Sequence, residues 1–227
     1  AGGDQYSVRF HFYISWDVKQ VLLWKHDFQS FNAKPQLLNQ VKFSNQPNYV
    51  CAIVHVTKMK VFLAAALDMS FKIFDRHLNL LESIHHEERA ILQIEYDILK
   101  DLIFSSGATG ISVWKLYRNL SLDKSHVMEK LYSFDGCDTW ITHMIYEPAF
   151  NRIYALKERS AQVLSLTRRS VITTLENVHD APINAICWYE RNQFYITGCS
   201  RGEIKCWTSN FNYRKANSND ISHATAA

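Results

Sequence analysis

The segment His85-His86-Glu87-Glu88-Arg89 sets two imidazoles beside two carboxylates, a donor set that can bind a transition metal. His179-Asp180 offers a smaller set of the same kind. Binding requires the donors to converge with fixed distances and geometry, and the first segment lies in a loop between two strand-bearing units, so neither is read as a metal site. Serine, histidine and aspartate are frequent, but the nucleophile elbow G-x-S-x-G, the phosphate loop G-x-x-x-x-G-K-[ST] and the zincin H-E-x-x-H do not occur. The run Gly107-Ala-Thr-Gly110 reads as a tight turn between strands. No catalytic constellation emerges. The expectation is a non-enzymatic chain with no cofactor, no metal and no small-molecule substrate.

Composition narrows the class. The chain has 227 residues, 47% apolar and 13% aromatic, enough for a sizeable core, with 21% charged residues against an ordinary value of about 25%. Its net charge of +3 is far from the basic footprint of a dedicated nucleic-acid binder, and the positive residues are scattered. The longest apolar run, Val61–Leu67, is far below the ~18 residues that suggest a membrane span, and the amino terminus has no signal-like pattern. Five cysteines, at 51, 137, 187, 199 and 206, are irregularly spaced with no C-x-x-C pair. Cys51, Cys187 and Cys206 fall in strand-like runs, where a thiol acts as a small apolar side chain. A reducing, intracellular compartment is the simpler inference.

The elements that would position any site repeat along the chain. Five segments share one pattern: VLLW ending at Trp24, FKIF at Phe74, ISVW at Trp114, VLSL at Leu166 and IKCW at Trp207. The anchors are separated by 50, 40, 52 and 41 positions. Ahead of them lie β-type runs at 9–14, 61–66, 102–106, 152–156 and 194–198, and four of these are preceded by a further run, at 50–56, 91–97, 140–146 and 183–189. A last strand follows the anchor at 78–84, 129–134 and 170–175, and LLNQVKF is its counterpart in the first unit. The runs mix continuous apolar stretches with alternation, and no convincing 3.6-residue period occurs, so the class is all-β. A period of ~40–45 residues with four strands per unit is the pattern of propeller blades.

On these residues the chain resembles the WD40-repeat family over most of positions 9–207. In that family a blade typically opens with Gly-His, carries Ser or Thr on its second strand and Asp in the next turn, and ends its third strand with Trp-Asp. The last unit is nearest, with His179, Thr197 and Trp207 as three members of a hydrogen-bond relay. Arg201 stands where the turn aspartate is expected, so this relay is read as incomplete. In the third unit His86, Ser105 and Trp114 could form three members, with Ala108 at the turn. The second unit has Asp68 and Asp75 but ends on Phe74, and the fourth has Leu166 with Ser160 in the turn.

The resemblance implies a WD40-like β-propeller of four-stranded antiparallel blades, with four to five blades visible as part of a larger, seven-bladed ring. The expected domains are a partial propeller over 1–209 and a polar tail or connector over 210–227. A five-bladed closure, in which the amino-terminal strand supplies the last blade's outer strand, is the alternative. The implied function is a protein-interaction scaffold in a multi-subunit assembly, cytoplasmic or cytoskeletal, with the eroded repeats pointing toward large ciliary or flagellar axonemal proteins. Alternatives are a substrate-receptor propeller of a ubiquitin ligase, an RNA-associated scaffold, or a propeller enzyme.

The family topology places partners on the top rim, here His86, Asp138, Trp140, Glu158, Arg159, Asp180 and Arg201. Trp140 reads equally as a residue packed between blades. A long connection at 115–128, carrying Tyr117, Leu120 and Leu122, would lie on the bottom face, either docking a partner or covering its own blade edge.

Overall fold

The computed structural model describes residues 11–16, 20–26, 36–42, 49–119, 125–137, 139–189, 194–208 and 213–214. They form strands and turns, and the fold is an all-β propeller of antiparallel blades. The first sheet has three strands, β1 (His11–Trp16), β2 (Gln20–His26) and β3 (Gln36–Lys42), paired in that order. The second contains β4 (Val50–Val56), β5 (Val61–Ala66), β6 (Ser70–Phe74) and β7 (Leu80–His85). The third contains β8 (Ile91–Asp97), β9 (Leu102–Gly107), β10 (Gly110–Asn119) and β11 (Ser125–Ser133). The fourth contains β12 (His143–Glu147), β13 (Arg152–Lys157), β14 (Ser160–Ser165) and β15 (Ser170–Leu175). The fifth contains β16 (Ile183–Tyr189), β17 (Phe194–Cys199), β18 (Ile204–Thr208) and the two-residue β19 (Tyr213–Arg214). Each four-stranded sheet is ordered as its strands follow in sequence, so each blade is a meander whose contacts are local.

Burial explains the two kinds of sequence pattern. The central strands β6, β13 and β14 are buried on both faces, which demands near-continuous apolar runs such as Ile153-Tyr154-Ala155-Leu156. The outer strands β7 and β15 face solvent over much of their length and read as alternating or polar.

The chain falls into two compact units, Ala1–Asp101 with Leu116–Met128, and Leu102–Lys115 with Glu129–Ala227. In the first, Val21, Leu23, Val50, Ala64, Phe74 and Leu78 form one core cluster. In the second, Phe104, Ile111 and Val113 pack with Ile141, Ile153 and Leu164, while Tyr154, Leu156 and Val163 pack with Ile183, Tyr195 and Trp207. Each cluster thus joins the facing sides of consecutive sheets, at about 1.5–3 kcal/mol for each large side chain removed from water.

Register corrects one anchor. Trp114 lies opposite Ile103 and Phe74 opposite Phe62, each the second residue of its partner strand. The corresponding residue of β13 is Ile153, and its partner is Leu164. Register shifts fall at Leu23/Trp24, Ile73/Phe74 and Val163/Leu164, so the same bulge marks the same position in three sheets. Leu166 lies one residue beyond β14, although it joins the same core cluster. The β13–β14 hairpin turns in two residues, Glu158-Arg159, as β9–β10 does at Ala108-Thr109, so Leu164 takes the place in the fourth sheet that Trp114 takes in the third. Trp24 is in β2 opposite Tyr13; its side chain lies outside the described residues.

Three further expectations change. The fourth blade's first strand starts at His143, so Trp140 precedes it in the connection. The long connection at 115–128 is mostly strand, since β10 runs to Asn119 and β11 begins at Ser125. Within the first unit the far end of this hairpin docks on β7: His126 Nδ1 lies 3.1 Å from Glu82 Oε2, and the His126 backbone N–H also donates to that oxygen. Finally, the tail read from 210 onward supplies β19, whose Tyr213 and Arg214 lie opposite Trp207 and Cys206. The last blade's fourth strand is therefore carboxy-terminal, and the amino-terminal β1 pairs with β2 instead.

With only seven glycines, ordinary residues occupy left-handed turn positions. Lys60, Asp101 and Asn151 do so at the ends of the equivalent first hairpin turns of three blades, with φ of 57°, 59° and 53°, and Met69 does so between β5 and β6 at 56°. Left-handed backbone costs a non-glycine residue roughly 1–2 kcal/mol, against about 0.5–1 kcal/mol of extra entropy lost by glycine. Met69→Gly is therefore expected to stabilise by about 0.5 kcal/mol in chemical denaturation. Leu164→Ala is expected to cost about 2–5 kcal/mol, the range for a fully buried leucine. A neutral Leu164→Ala would show that the register assignment is wrong.

Candidate functional site

The last blade carries the most developed polar constellation. β17 presents Thr197 and β18 presents Trp207 on the same face, because Thr197 is two residues beyond Tyr195, the direct partner of Trp207. The Trp207 indole Nε1–H donates to Thr197 Oγ1 at 2.8 Å, and that hydroxyl lies 2.7 Å from His179 Nε2. His179 Nδ1 lies 2.9 Å from Glu203 Oε2. One proton arrangement satisfies all four groups: indole N–H to hydroxyl oxygen, hydroxyl O–H to Nε2, and Nδ1–H to the carboxylate. Thr197 and His179 are completely buried, so each of these bonds replaces water that cannot enter.

Glu203 corrects the expectation of an incomplete relay. The acid sits two residues after Arg201, at the end of the β17–β18 turn, rather than in its middle. Gly202, at φ +79°, turns the chain, Gly202 N–H donates to the Cys199 carbonyl and Cys199 N–H to the Glu203 carbonyl. Glutamate's longer side chain then spans to His179. Its other oxygen lies 3.4 Å from Lys205 Nζ, which also donates to the Val178 carbonyl at 2.9 Å. The hydrogen bond from His179, with Lys205 adding to it, holds the Glu203 carboxyl below the usual carboxylate range against desolvation.

His179, Glu203 and Cys199 also bring ligand-type atoms within 4.8 Å of one another, the grouping among the described residues that could hold a metal ion. The His85–Arg89 segment does not form it. A metal at Nδ1 would have to displace the proton shared with Glu203, so relay and ligation exclude each other.

Other blades meet the same need differently. In the third, Trp114 Nε1–H donates to Ser105 Oγ at 2.7 Å, while His86 packs on Phe71 with ring centres 4.7 Å apart. In the second, where Phe74 has no N–H, Lys72 Nζ is 2.8 Å from Asp68 and 3.0 Å from Ser70 Oγ. Burial opposes the Asp68 charge, yet Lys72 and Ser70 together hold its pKa low. Asp75 caps the β6–β7 turn, accepting from the backbone N–H groups of His77 and Asn79. In the fourth, Leu164 and Ala155 share one apolar cluster, and the buried Gln162 lies opposite Ala155.

Within the second unit the rim residues are drawn together by backbone bonds. Val178 N–H donates to Arg159 O at 2.9 Å, Ile183 N–H to Glu158 O at 2.7 Å and Ser200 N–H to Pro182 O at 2.9 Å. The segment bearing His179 and Asp180 is thereby stitched to the turn bearing Glu158 and Arg159 and to that of Arg201. Glu158, Arg159, Asp180 and Arg201 are all exposed, and Trp140 is 53% exposed, which removes the reading that it is packed between blades. Glu158 and Arg159 line a polar cavity of about 280 Å³ with Lys157, Gln162, Glu176 and Asn177. His86 belongs to the first unit and is half-buried. Tyr117 is exposed on β10, whereas Asp138, Leu120 and Leu122 lie outside the described residues. Sequence reading missed Glu203; its signal was an acid beside a glycine turn, two places from the expected one.

Trp207→Phe is expected to destabilise by about 1–3 kcal/mol by leaving a buried hydroxyl without its donor, and Thr197→Val similarly. The double variant should cost less than the sum, and additive losses in denaturant melts would argue against the bond. Glu203's lowered folded pKa contributes stability above its unfolded value of about 4.3 that is lost as pH falls through the folded value. Glu203→Gln should therefore be less stable than the parent at pH 7, with the difference shrinking below about pH 4.

Compared with protein-family models and with curated proteins, the sequence finds no match in either.

Proposed function

We propose that this chain is a WD40-type propeller acting as a non-enzymatic platform for protein partners in a larger assembly, with the top rim of its later blades as the recognition surface. The observation that carries the reading is the relay Trp207–Thr197–His179–Glu203, which has the donor order of the WD40 relay and fixes a connector to its neighbouring turn. Such fixed connectors present exposed side chains on a rigid base, and arginine and tryptophan are the types that dominate interface energies. Trp140, Arg159 and Arg201 meet that description.

A seven-bladed ring in the complete protein is part of the proposal. It rests on the resemblance of the repeats, since rings of such blades close without free sheet edges. The cytoskeletal or axonemal setting rests on the eroded repeats alone, which a fixed structural part tolerates.

The double variant Arg159→Glu/Arg201→Glu is expected to lower partner capture from cell extract roughly tenfold, about 1–2 kcal/mol. Its denaturation midpoint should stay within about 0.5 kcal/mol of the parent, because both side chains are exposed. Undiminished capture of every partner would overturn the rim assignment.

A further inference from the structure

A second cavity in the later unit has the opposite character to the polar rim. It holds about 480 Å³ and is lined by Ile145, Tyr146 and Glu147 of β12, Phe150 of the following turn, Trp188 of β16 and Tyr195 of β17. Pro148 and Ala149 complete the lining, half of which is aromatic. Phe150 is 55% exposed and marks the mouth, whereas Tyr195 is fully buried and forms the floor. Trp188 and Tyr195 are held ring to ring at 4.6 Å, so one wall is fixed against the floor.

Glu147 is the anomaly in this apolar setting. It is only 6% exposed. Oε2 accepts the Tyr154 hydroxyl at 2.9 Å, while Oε1 is buried without a hydrogen-bond partner. Neighbouring phenols cannot neutralise it: desolvation, then the Tyr154 and Glu147 interactions, push the Tyr195 hydroxyl far above its ordinary pKa, so it stays protonated. Arg152 lies opposite Glu147 in the β12–β13 register; its guanidinium stands over the Phe150 ring, 5.5 Å from the centre, and reaches the Tyr154 hydroxyl rather than the carboxylate itself. Among the described residues no cation pairs with Glu147. A buried carboxylate whose nearest cation reaches it only through a shared hydroxyl is poorly compensated, and a cation in direct contact would lower that cost.

We propose that this cavity receives an arginine side chain of a partner protein. Aromatic faces attract a cation through their quadrupoles, and the attraction strengthens when water is excluded. Between the two basic side chains, guanidinium is the more weakly hydrated and stacks flat on rings, so it loses less on entering an apolar slot than a lysine ammonium. Phe150 already binds one guanidinium, that of Arg152, in this way. The carboxylate behind the rings supplies the charge that selects a cation over an apolar side chain of the same size.

Assigning the arginine to a partner rests on the platform reading, but the cavity is tested separately. The probe is an acetylated, amidated Gly-Arg-Gly peptide, titrated by calorimetry and by the indole resonance of Trp188, with citrulline and lysine peptides in parallel. Citrulline keeps the shape of arginine without its charge. The expected result is saturable binding of the arginine peptide, at least tenfold weaker for citrulline and several-fold weaker for lysine. Phe150→Ala, at an exposed site, should weaken binding about fivefold with an unchanged melt. Glu147→Gln, which keeps an acceptor for Tyr154, should abolish the preference for arginine over citrulline. No binding of the arginine peptide, or equal binding of citrulline to the parent, would overturn the assignment, whatever the rim variants do to partner capture.

Discussion

The structure depends on one constraint, seen among the described residues in the connector between the fourth and fifth sheets: its backbone must bond to turns that lie beside it in space and well away in sequence. Strands within a blade satisfy one another through hairpins, so a blade is built from local pairing. Connectors have no ladder of their own, and their buried N–H groups need acceptors. The bonds from Val178 to Arg159, Ile183 to Glu158 and Ser200 to Pro182 supply them. The relay ending at Glu203 is the side-chain version of the same solution, since it ties the connector residue His179 to β17, to β18 and to the turn between them.

Because that requirement is geometric, it can be met by different chemistry in different blades. A lysine–aspartate–serine cluster, an indole–serine bond, a leucine in an apolar cluster and a four-member relay occupy comparable positions. The polar versions trade strength for direction: each bond adds about 1 kcal/mol net but fixes strand register, whereas an apolar anchor contributes burial without orientation. This explains how the repeats can erode while the sheets persist. It also separates the two surfaces of the later unit. The rim owes its charged character to turns whose side chains are not needed for the ladder, while the aromatic cavity joins one turn, Pro148–Phe150, to strand residues that also serve the core. Tyr195 belongs to both the core cluster and the cavity floor.

The elements legible in sequence are those whose signal is local. The strand pattern around 61–66, 152–156 and 170–175 matches β5, β13 and β15 because pleating enforces a period of two and burial on both faces enforces continuous apolar runs. Trp114, Phe74 and Trp207 were legible as anchors for the same reason, and Trp207 with Thr197 and His179 as relay members. Leu166 was not, because Leu164 and Leu166 stand two positions apart and share one core cluster, and only the strand pairing distinguishes them. The two-residue strand β19 was missed because so short a pairing carries no periodicity.

The sequence by itself determined the all-β class, the repeat and the residues that face each blade's core, since hydrophobic pattern acts over a few neighbouring positions. Only the tertiary structure decided that Glu203 completes the relay, that His126 meets Glu82, that Trp140 is exposed, and that Glu147 shares a cavity with Trp188. Those outcomes join residues 24, 44 or 41 positions apart, or depend on what a whole blade covers. Turn length and backbone twist set such distances, and a shift of one residue in a turn moves a side chain to the other face of the sheet.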